Sequence, residues 1–327
     1  MEHDVIQWDD PAVADVFFKS FTDGLPQEWC AGHYDADALV IDTRHRLIEK
    51  GLAPAEVAQA TKRIMAEGSP YSEKHSATDN LLKEIGTAIT PGAELLVFAG
   101  CAARSLYPAS LFAFLRILKA KKVSFNLLDP EPCCGMPLYQ LGDFTNAARQ
   151  AKAVSQRIAD TGAKEIVLLD PDCFRMLTTR FTRFGAPLPG GLQVNHVSEW
   201  LCRQIEAENW PLKKSSQRFT YHDPSSLARF TGIHDAPRKV LRSIFDQEPL
   251  EMQGNRSKAF CCGEGGGMFL TNPEIVREAA TRRYEQARTS GAELLITSSP
   301  ACANLLSNAQ KGSPQVRDLV EVVADAI

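Results

Sequence analysis

The chain has 327 residues, of which 44% are hydrophobic and 23% are charged, and this is enough for two globular domains with separate cores. Its net charge of -4 and pI near 6.0 provide no electrostatic basis for nucleic-acid binding. The acidic start lacks the basic and apolar regions of a secretory signal. The most apolar stretch, 95–120, is interrupted by Arg104, Pro108 and Arg116, which argues against a membrane span. We therefore expect a cytoplasmic protein whose nine cysteines bind metal or are redox-active.

Residues 1–92 are predicted to form a helical N-terminal segment. The stretches 37–51 and 53–68 carry apolar residues at helical spacing, and each ends in a glycine suited to a C-cap. Residues 69–80, SPYSEKHSATDN, are predicted to form a loop because they are polar and rich in turn-forming residues.

From Glu94 the pattern changes to short apolar runs that alternate with helical segments. The runs ELLVFAGC, KVSFNLLD and EIVLLD predict strands, and the intervening stretches 108–120 and 144–160 predict helices. Strands that alternate with helices indicate a parallel sheet with crossover connections.

The same order of elements then recurs along the chain. CCGMPLYQLGD, a helix and TGAKEIVLLDPDC in the first half match CCGEGGGMFLTNP, a helix and SGAELLITSSPAC in the second. The separation between Cys134 and Cys173 is 39 positions, and that between Cys262 and Cys302 is 40. This indicates an internal duplication of a Rossmann-like α/β domain. We expect two domains, 93–213 and 214–327, related by a pseudo-twofold axis, with their boundary in the polar stretch 207–218.

The cysteines of the first repeat follow predicted strands. Cys101, the pair Cys133–Cys134 and Cys173 each lie just beyond a strand, at the carboxyl edge where open α/β sheets bind ligands. Four thiols that are distant in sequence are thus expected to meet at one place. Zinc is usually wrapped by short chelating pairs, and vicinal cysteines suit one ion poorly because adjacent side chains diverge. An iron–sulfur cluster, which gives each thiolate its own iron, is the better match.

The complete pattern resembles the cysteine-rich CCG-domain proteins. One cysteine, then CCG, then a closing CxxC, occurring twice, is typical of the cysteine-rich subunit of heterodisulfide reductase. It is also typical of the iron–sulfur subunits of glycolate oxidase, lactate utilisation and anaerobic glycerol-3-phosphate dehydrogenase. The resemblance runs from Gly68 to the C-terminus through the motifs GSPY, FAGC, EPCCGMP, NHVSEWL, YHDPSSLAR and CCGEGGGM.

The resemblance implies metal ligands in both repeats, and it shows where this chain departs from the family. The implied ligands are Cys101, Cys133, Cys134 and Cys173 in the first repeat and Cys261, Cys262 and Cys302 in the second. Ser225 replaces one expected ligand, and Asp170 and Ser299 replace the first cysteine of each closing CxxC. Oxygen is a harder ligand than thiolate. The sequence therefore predicts one [4Fe–4S]-type cluster in the first repeat and leaves open whether the second repeat has lost its metal.

The glycines beside the cysteine pairs are expected to give the backbone a close approach to a cluster and to aim amides at it. A phosphate loop is disfavoured because the run Gly265–Gly267 lacks the GK[ST] ending. His222 is interpreted either as a ligand or proton donor, or as a partner within the Asp-Pro turn. His196, Cys30 and Cys202 are assigned to capping or packing. The candidate cofactor-binding residues are Gly135, Gly263, Gly265, Gly266 and His222.

The resemblance implies a function in electron transfer. The chain is expected to be an iron–sulfur redox subunit of an oxidoreductase complex, of the heterodisulfide reductase type or the flavin-dependent 2-hydroxyacid or glycerol-phosphate dehydrogenase type. Its partner would be a flavoprotein or another redox subunit, and any membrane association would come through that partner. Relatives of the dehydrogenase type begin with a two-cluster ferredoxin module, and here Cys30 alone survives from it. The alternatives are a degenerate scaffold subunit that docks a flavoprotein and a zinc-binding structural protein.

Overall fold

A computed structural model of the chain describes residues 10–71, 78–309 and 312–327. Two parallel sheets organise it, a four-stranded sheet of order β2-β1-β3-β4 and a three-stranded sheet of order β5-β6-β7. The strands are β1 Leu95–Phe98, β2 Asn126–Leu127, β3 Glu165–Leu168, β4 Gln193–His196, β5 Phe219–His222, β6 Leu294–Thr297 and β7 Gln315–Asp318.

Strands β1, β5 and β6 are short runs in which every residue is buried, as a parallel sheet covered by helices requires. Phe98 pairs with Leu168 at the end of β1 and β3, and His222 pairs with Thr297 at the same place on β5 and β6. The order β1-β3-β4 of the first repeat thus recurs as β5-β6-β7 in the second. This confirms the predicted duplication and parallel topology.

Helices form the N-terminal segment and cover both sheets. The helices of residues 10–85 are α1 Pro11–Phe18, α2 Leu25–Trp29, α3 Ala36–Glu49, α4 Ala55–Glu67 and α5 Thr78–Ile85. The first repeat contains α6 Cys101–Ser105, α7 Pro108–Ala120, α8 Met136–Leu141, α9 Phe144–Asp160, α10 Pro171–Arg175 and α11 Val197–Glu208, with a π-helical turn at Met176–Arg180. The second contains α12 Ser225–Ala228, α13 Asp235–Arg242, α14 Met268–Thr271, α15 Pro273–Thr289, α16 Pro300–Ala309 and α17 Leu319–Ala326.

The two repeats share one hydrophobic core. Helix α7 packs against α17, and the buried cluster around Phe114 and Trp200 of the first repeat continues into Tyr221 and Leu319 of the second. Shared burial of this kind fixes the two sheets relative to each other, because separating them would expose the common apolar surface to water.

The predicted elements are largely confirmed, with two differences. The helices predicted at 108–120 and 144–160 have those bounds. KVSFNLLD forms only the two-residue edge strand β2, since Asn126–Leu127 alone pairs with β1. The predicted loop 69–80 ends earlier, because α5 begins at Thr78; its residues 72–77 lie outside the described part of the chain. Among the described residues no helix is long and apolar enough to cross a membrane.

The N-terminal helices are held against both repeats by Arg44 of α3. Its guanidinium is fully buried and donates to the carbonyls of Gln140 at 2.6 Å and Gly266 at 2.7 Å. It also donates to the Phe17 and Ser20 carbonyls. One side chain thus joins the N-terminal segment to the segments that follow both cysteine pairs.

Candidate metal centre

Three loops at the carboxyl edge of the first sheet carry the four predicted thiols. Cys101 is the first residue of α6, three residues after β1 ends, and Cys173 lies in α10 beyond β3. Cys133 and Cys134 precede α8. The structure therefore brings together the four cysteines that the sequence predicted would meet.

The four sulfurs form one connected group. The thiols interact in series, Cys101 with Cys133, Cys133 with Cys134 and Cys134 with Cys173. Cys133, Cys134 and Cys173 are buried, and Cys101 is half-buried. The hydrogen bond to Cys133 and burial raise the pKa of Cys101 well above its usual value. The group is thus a compact set of soft donors from which water is largely excluded.

Glu131 fixes the CC loop to the end of β1. Its buried carboxylate accepts the amides of Ala99 at 2.8 Å and Gly100 at 2.7 Å. Burial raises the pKa of Glu131 to about 7, although these amides and Arg104 lower it. This contact holds the loop carrying Cys133 beside the loop carrying Cys101.

The third residue of each CCG motif donates its amide to the first cysteine sulfur. Gly135 N–H lies 3.4 Å from Cys133 Sγ, and Gly263 N–H lies 3.3 Å from Cys261 Sγ. Both glycines have positive φ, 93° and 108°, and a Cβ on Gly263 would approach the Val276 carbonyl oxygen at 2.7 Å. Glycine is required because this turn combines a left-handed backbone with close packing.

The second repeat gathers three sulfurs and an imidazole. Cys262 and Cys302 are buried, with their Sγ atoms 2.8 Å apart, and Cys261 is half-buried. One donor atom from each of His222, Cys262 and Cys302 lies within 4.8 Å of the other two. His222 Nδ1 accepts Arg283 Nε at 3.1 Å. Its partner is therefore the side chain of a buried arginine, not a group of the Asp-Pro turn.

The residues at the substituted ligand positions lie where the duplication predicts. Cys101 and Ser225 are both first residues of helices, three residues after β1 and β5 end. Asp170 Oδ1 accepts the amides of Asp172 and Cys173, and Ser299 Oγ accepts the amide of Cys302. The two substituted CxxC positions thus act as helix caps.

The glycine run after the second cysteine pair is packed chiefly against the N-terminal segment. A Cβ on Gly265 would lie 2.5 Å from the Phe21 carbonyl oxygen, and one on Gly266 would overlap the Ser20 carbonyl oxygen. A hydrogen bond from the Gly265 backbone lowers the pKa of Cys261, although the hydrogen bond to Cys262 and burial raise it overall. The sequence predicted a close approach of these glycines to a cluster, whereas the groups that approach Gly265 and Gly266 most closely are backbone carbonyls of the N-terminal segment.

Acidic and hydroxyl side chains connect the two cysteine groups. The Ser226 hydroxyl donates to Asp172, and Asp172 is hydrogen-bonded to Glu264 of the second repeat. Burial and the nearby Asp172 and Asp170 raise the pKa of Glu264 well above its usual value. Burial raises the pKa of Tyr71 of the GSPY motif well above its usual value, and Cys101 and Glu264 raise it further. The sequence analysis missed these roles, for which the available signals were the GSPY motif and the acidic residues beside the cysteines.

The structure shows the surroundings of the three residues that were assigned to capping or packing. His196 caps α11 by accepting the Ser198 amide, and Cys202 is buried in that helix, as predicted. The assignment of Cys30 to packing is wrong, because its side chain is exposed at the end of α2. The short α2 has no buried residue, so nothing encloses the thiol.

Comparisons with known proteins agree with this architecture. Residues 95–178 and 219–307 match the family described as the CCG cysteine-rich domain. One subunit of the dihydromethanophenazine:CoB–CoM heterodisulfide reductase of Methanosarcina barkeri is 31% identical over 297 residues, covering 87% of this chain and 71% of that protein. EtfAB:quinone oxidoreductase of Syntrophomonas wolfei is 30% identical over 267 residues, covering 76% of this chain and 36% of that protein.

A solved structure shares the fold. The crystal structure of a hypothetical protein from Helicobacter pylori superposes with a TM-score of 0.60 at 11% identity, covering 92% of this chain and 59% of that one. Both matched regions contain the CCG motif and the strand-helix units described above. The chain belongs to the CCG cysteine-rich domain family and contains two copies of its domain.

Proposed function

We propose that this chain is an iron–sulfur redox subunit that transfers electrons within an oxidoreductase complex. Cys101, Cys133, Cys134 and Cys173 would hold one [4Fe–4S]-type cluster. The observation that carries the proposal is the connected group of four sulfurs contributed by three separate loops. The relatives from heterodisulfide reductase and EtfAB:quinone oxidoreductase are redox proteins, which supports the same class of function.

The residues around the four thiols fit such a group. Thiolate sulfur is the usual protein ligand of iron–sulfur clusters, and a bound cluster would supply one-electron redox chemistry. Glu131 keeps two of the ligand loops together. The Gly135 amide donates to Cys133, and hydrogen bonds to ligand sulfur are among the features that set a cluster's reduction potential.

A partner would exchange electrons on the side of the site nearest the surface. Cys101 is half-buried, whereas the other three thiols are buried. Tyr71, whose pKa is raised mainly by burial and in part by Cys101, is also half-buried. We propose that a flavoprotein or another redox subunit docks here, because the surface-facing edge gives the shorter path to a redox group in a second protein.

Anaerobic purification followed by iron and acid-labile sulfide analysis tests the proposal. About four irons with matching sulfide per chain are expected, and an EPR signal should appear on reduction. A metal-free protein would favour the scaffold alternative and overturn the redox proposal. Zinc without sulfide would favour a structural zinc protein.

A matched pair of variants locates the cluster. Cys133→Ala should lose most of the iron because it removes a ligand that contacts two other thiols. Cys261→Ala makes the same change at the equivalent position of the second repeat and should keep the iron. Iron that is lost from Cys261→Ala and retained in Cys133→Ala would contradict the assignment.

A further inference from the structure

The second repeat contains two buried thiols in direct contact. Cys262 Sγ and Cys302 Sγ lie 2.8 Å apart, and their side chains belong to residues only 1% and 3% exposed. Two thiolates on one tetrahedral zinc would lie about 3.7 Å apart, given Zn–S bonds near 2.3 Å. The observed separation is shorter, so the two thiols contact each other directly and are not spaced as ligands of one ion.

The imidazole beside this pair has one ring nitrogen engaged by Arg283 and the other without a partner among the described residues. Because His222 Nδ1 accepts Arg283 Nε at 3.1 Å, the neutral ring must carry its proton on Nε2. Nε2 is buried and has no hydrogen-bond partner among the described residues. Metal binding at Nε2 would require that proton to leave.

The buried guanidinium of Arg283 also makes metal binding beside His222 less favourable. Arg283 is 1% exposed and is held by the carbonyls of Gln253 and Gly254 and by the Gln286 side chain. Burial lowers the pKa of Arg283 to about 10, although the charges of Asp223, Cys262 and Cys302 raise it. A fixed positive charge here disfavours a metal cation and favours transient negative charge on sulfur.

The oxygens that replace the missing ligands are unsuited to completing a cluster. Ser299 Oγ accepts the Cys302 amide at 3.2 Å, and Ser225 begins α12 as a half-buried residue. The second repeat therefore keeps three thiols, whereas the first repeat has four.

Access to the pair leads through Cys261. This half-buried thiol lines the inner cavity together with Cys262 and Cys302. It also lines a surface groove of about 720 Å³, whose walls include Phe21, Trp29 and Phe260. A hydrogen bond joins the thiols of Cys261 and Cys262. A small molecule in the groove can therefore contact Cys261, which interacts with Cys262 of the inner pair.

We infer that Cys262 and Cys302 form a reversible dithiol/disulfide couple in place of a second metal cluster, with Cys261 as the exchange thiol for low-molecular-weight disulfides. The inference does not require the cluster proposed for the first repeat. The dithiol and the disulfide are both uncharged, which suits a buried site better than isolated thiolates do.

The exchange balances in three steps. On losing its proton, the Cys261 sulfur attacks a disulfide RSSR, forming a Cys261–SR bond and releasing one RS⁻. Cys262 then attacks the outer sulfur of the Cys261–SR bond, which transfers the SR group to Cys262 and frees Cys261. Cys302 attacks the Cys262 sulfur, forming Cys262–Cys302 and releasing the second RS⁻. The two thiols are oxidised to one disulfide, RSSR is reduced to two RSH, and the two thiol protons go to the released thiolates.

Disulfide mapping of the full chain tests the inference. Anaerobically reduced protein is treated with bis(2-hydroxyethyl) disulfide, alkylated, digested and analysed by mass spectrometry. We expect a peptide pair joined through Cys262 and Cys302 that dithiothreitol separates. Cys302→Ser should lose it, Cys261→Ser should form it more slowly, and Cys30→Ser, which changes the exposed thiol far from the couple in sequence, should be unaffected.

Metal analysis of the same samples separates this inference from the proposed function. Iron should be equal in wild type and Cys302→Ser, whatever its amount. Wild-type protein in which Cys262 and Cys302 stay unlinked while Cys30 reacts would overturn the inference. So would stoichiometric zinc or iron that is lost specifically from Cys302→Ser. Absence of iron from all variants would contradict the cluster proposal and leave the dithiol result standing.

Discussion

Asp170 and Ser299 cap equivalent helices in the two repeats. Each lies two residues after its strand and accepts the amide of the cysteine three residues later, at 3.3 Å for Cys173 and 3.2 Å for Cys302. Both stand where the family pattern has a cysteine. An aspartate or serine here stabilises the helix N-terminus that carries the remaining cysteine.

Removing the cap at Asp170 should destabilise the first repeat without removing a metal ligand. Asp170→Ala is expected to lower the free energy of unfolding by about 1 kcal/mol, whereas Asp170→Asn, which keeps an acceptor oxygen, should lie closer to wild type. Denaturant unfolding measures the difference. If both variants lose iron with unchanged stability, Asp170 is a ligand and not a cap.

Restoring the missing cysteines should give the second repeat a cluster. Ser225 and Ser299 occupy positions equivalent to Cys101 and Asp170, so Ser225→Cys with Ser299→Cys adds two thiols beside Cys262 and Cys302. We expect iron and sulfide per chain to rise about twofold, because thiolate is the preferred ligand. The same double variant carrying Cys262→Ser is the control and should gain no iron. Equal iron in wild type and the double variant would contradict this expectation.

The glycine run can be tested with two glycines of the same backbone conformation. Gly266 and Gly232 have φ of 70° and 72°, but of these two only Gly266 has a described residue that a Cβ would overlap, since no described residue lies within 4 Å at Gly232. Gly232→Ala should cost about 1 kcal/mol of backbone strain. Gly266→Ala should cost about 1–3 kcal/mol more, because it must displace the Ser20 carbonyl. Thermal and denaturant unfolding provide the comparison, and equal losses would show that packing against the N-terminal segment is unimportant.

The buried carboxyl of Asp318 should make stability depend on pH. Burial raises its pKa to about 8 from an ordinary value of 3.8. Between these values the folded chain keeps a proton that the unfolded chain loses, so the free energy of unfolding falls as pH rises, by at most about 1.4 kcal/mol per unit for this group. Above pH 8 the contribution levels off.

Asp318→Asn removes this titration while retaining an oxygen that can accept the Val320 amide, which Asp318 binds at 3.0 Å. Urea unfolding at several pH values should show wild type losing stability relative to the variant from pH 5 to pH 8. Parallel curves would mean that Asp318 ionises in the folded chain much as it does in the unfolded chain. Asp325→Asn, a change at an exposed carboxylate, serves as the control.

The sequence by itself determined the repeat, the parallel topology and the four thiols of the first repeat. Short apolar runs followed by cysteines specify buried strands whose loops must meet at one sheet edge. Spacing alone therefore predicted that Cys101, Cys133 and Cys173 would meet. The equivalence of Cys101 with Ser225 was also visible, because the duplication aligns them.

Tertiary structure decided what the remaining polar groups do. The role of Asp170 as a helix cap and the contact of His222 with Arg283 each depend on which groups lie beside these side chains. Contacts between residues far apart in sequence have no local sequence pattern. Gly266 shows the same limit. The glycine run predicted that another group would lie close to its backbone, but the sequence did not show that this group is the Ser20 carbonyl, 246 positions earlier in the chain. Local propensity and periodicity specify elements, whereas packing between distant segments selects the partners of buried polar atoms.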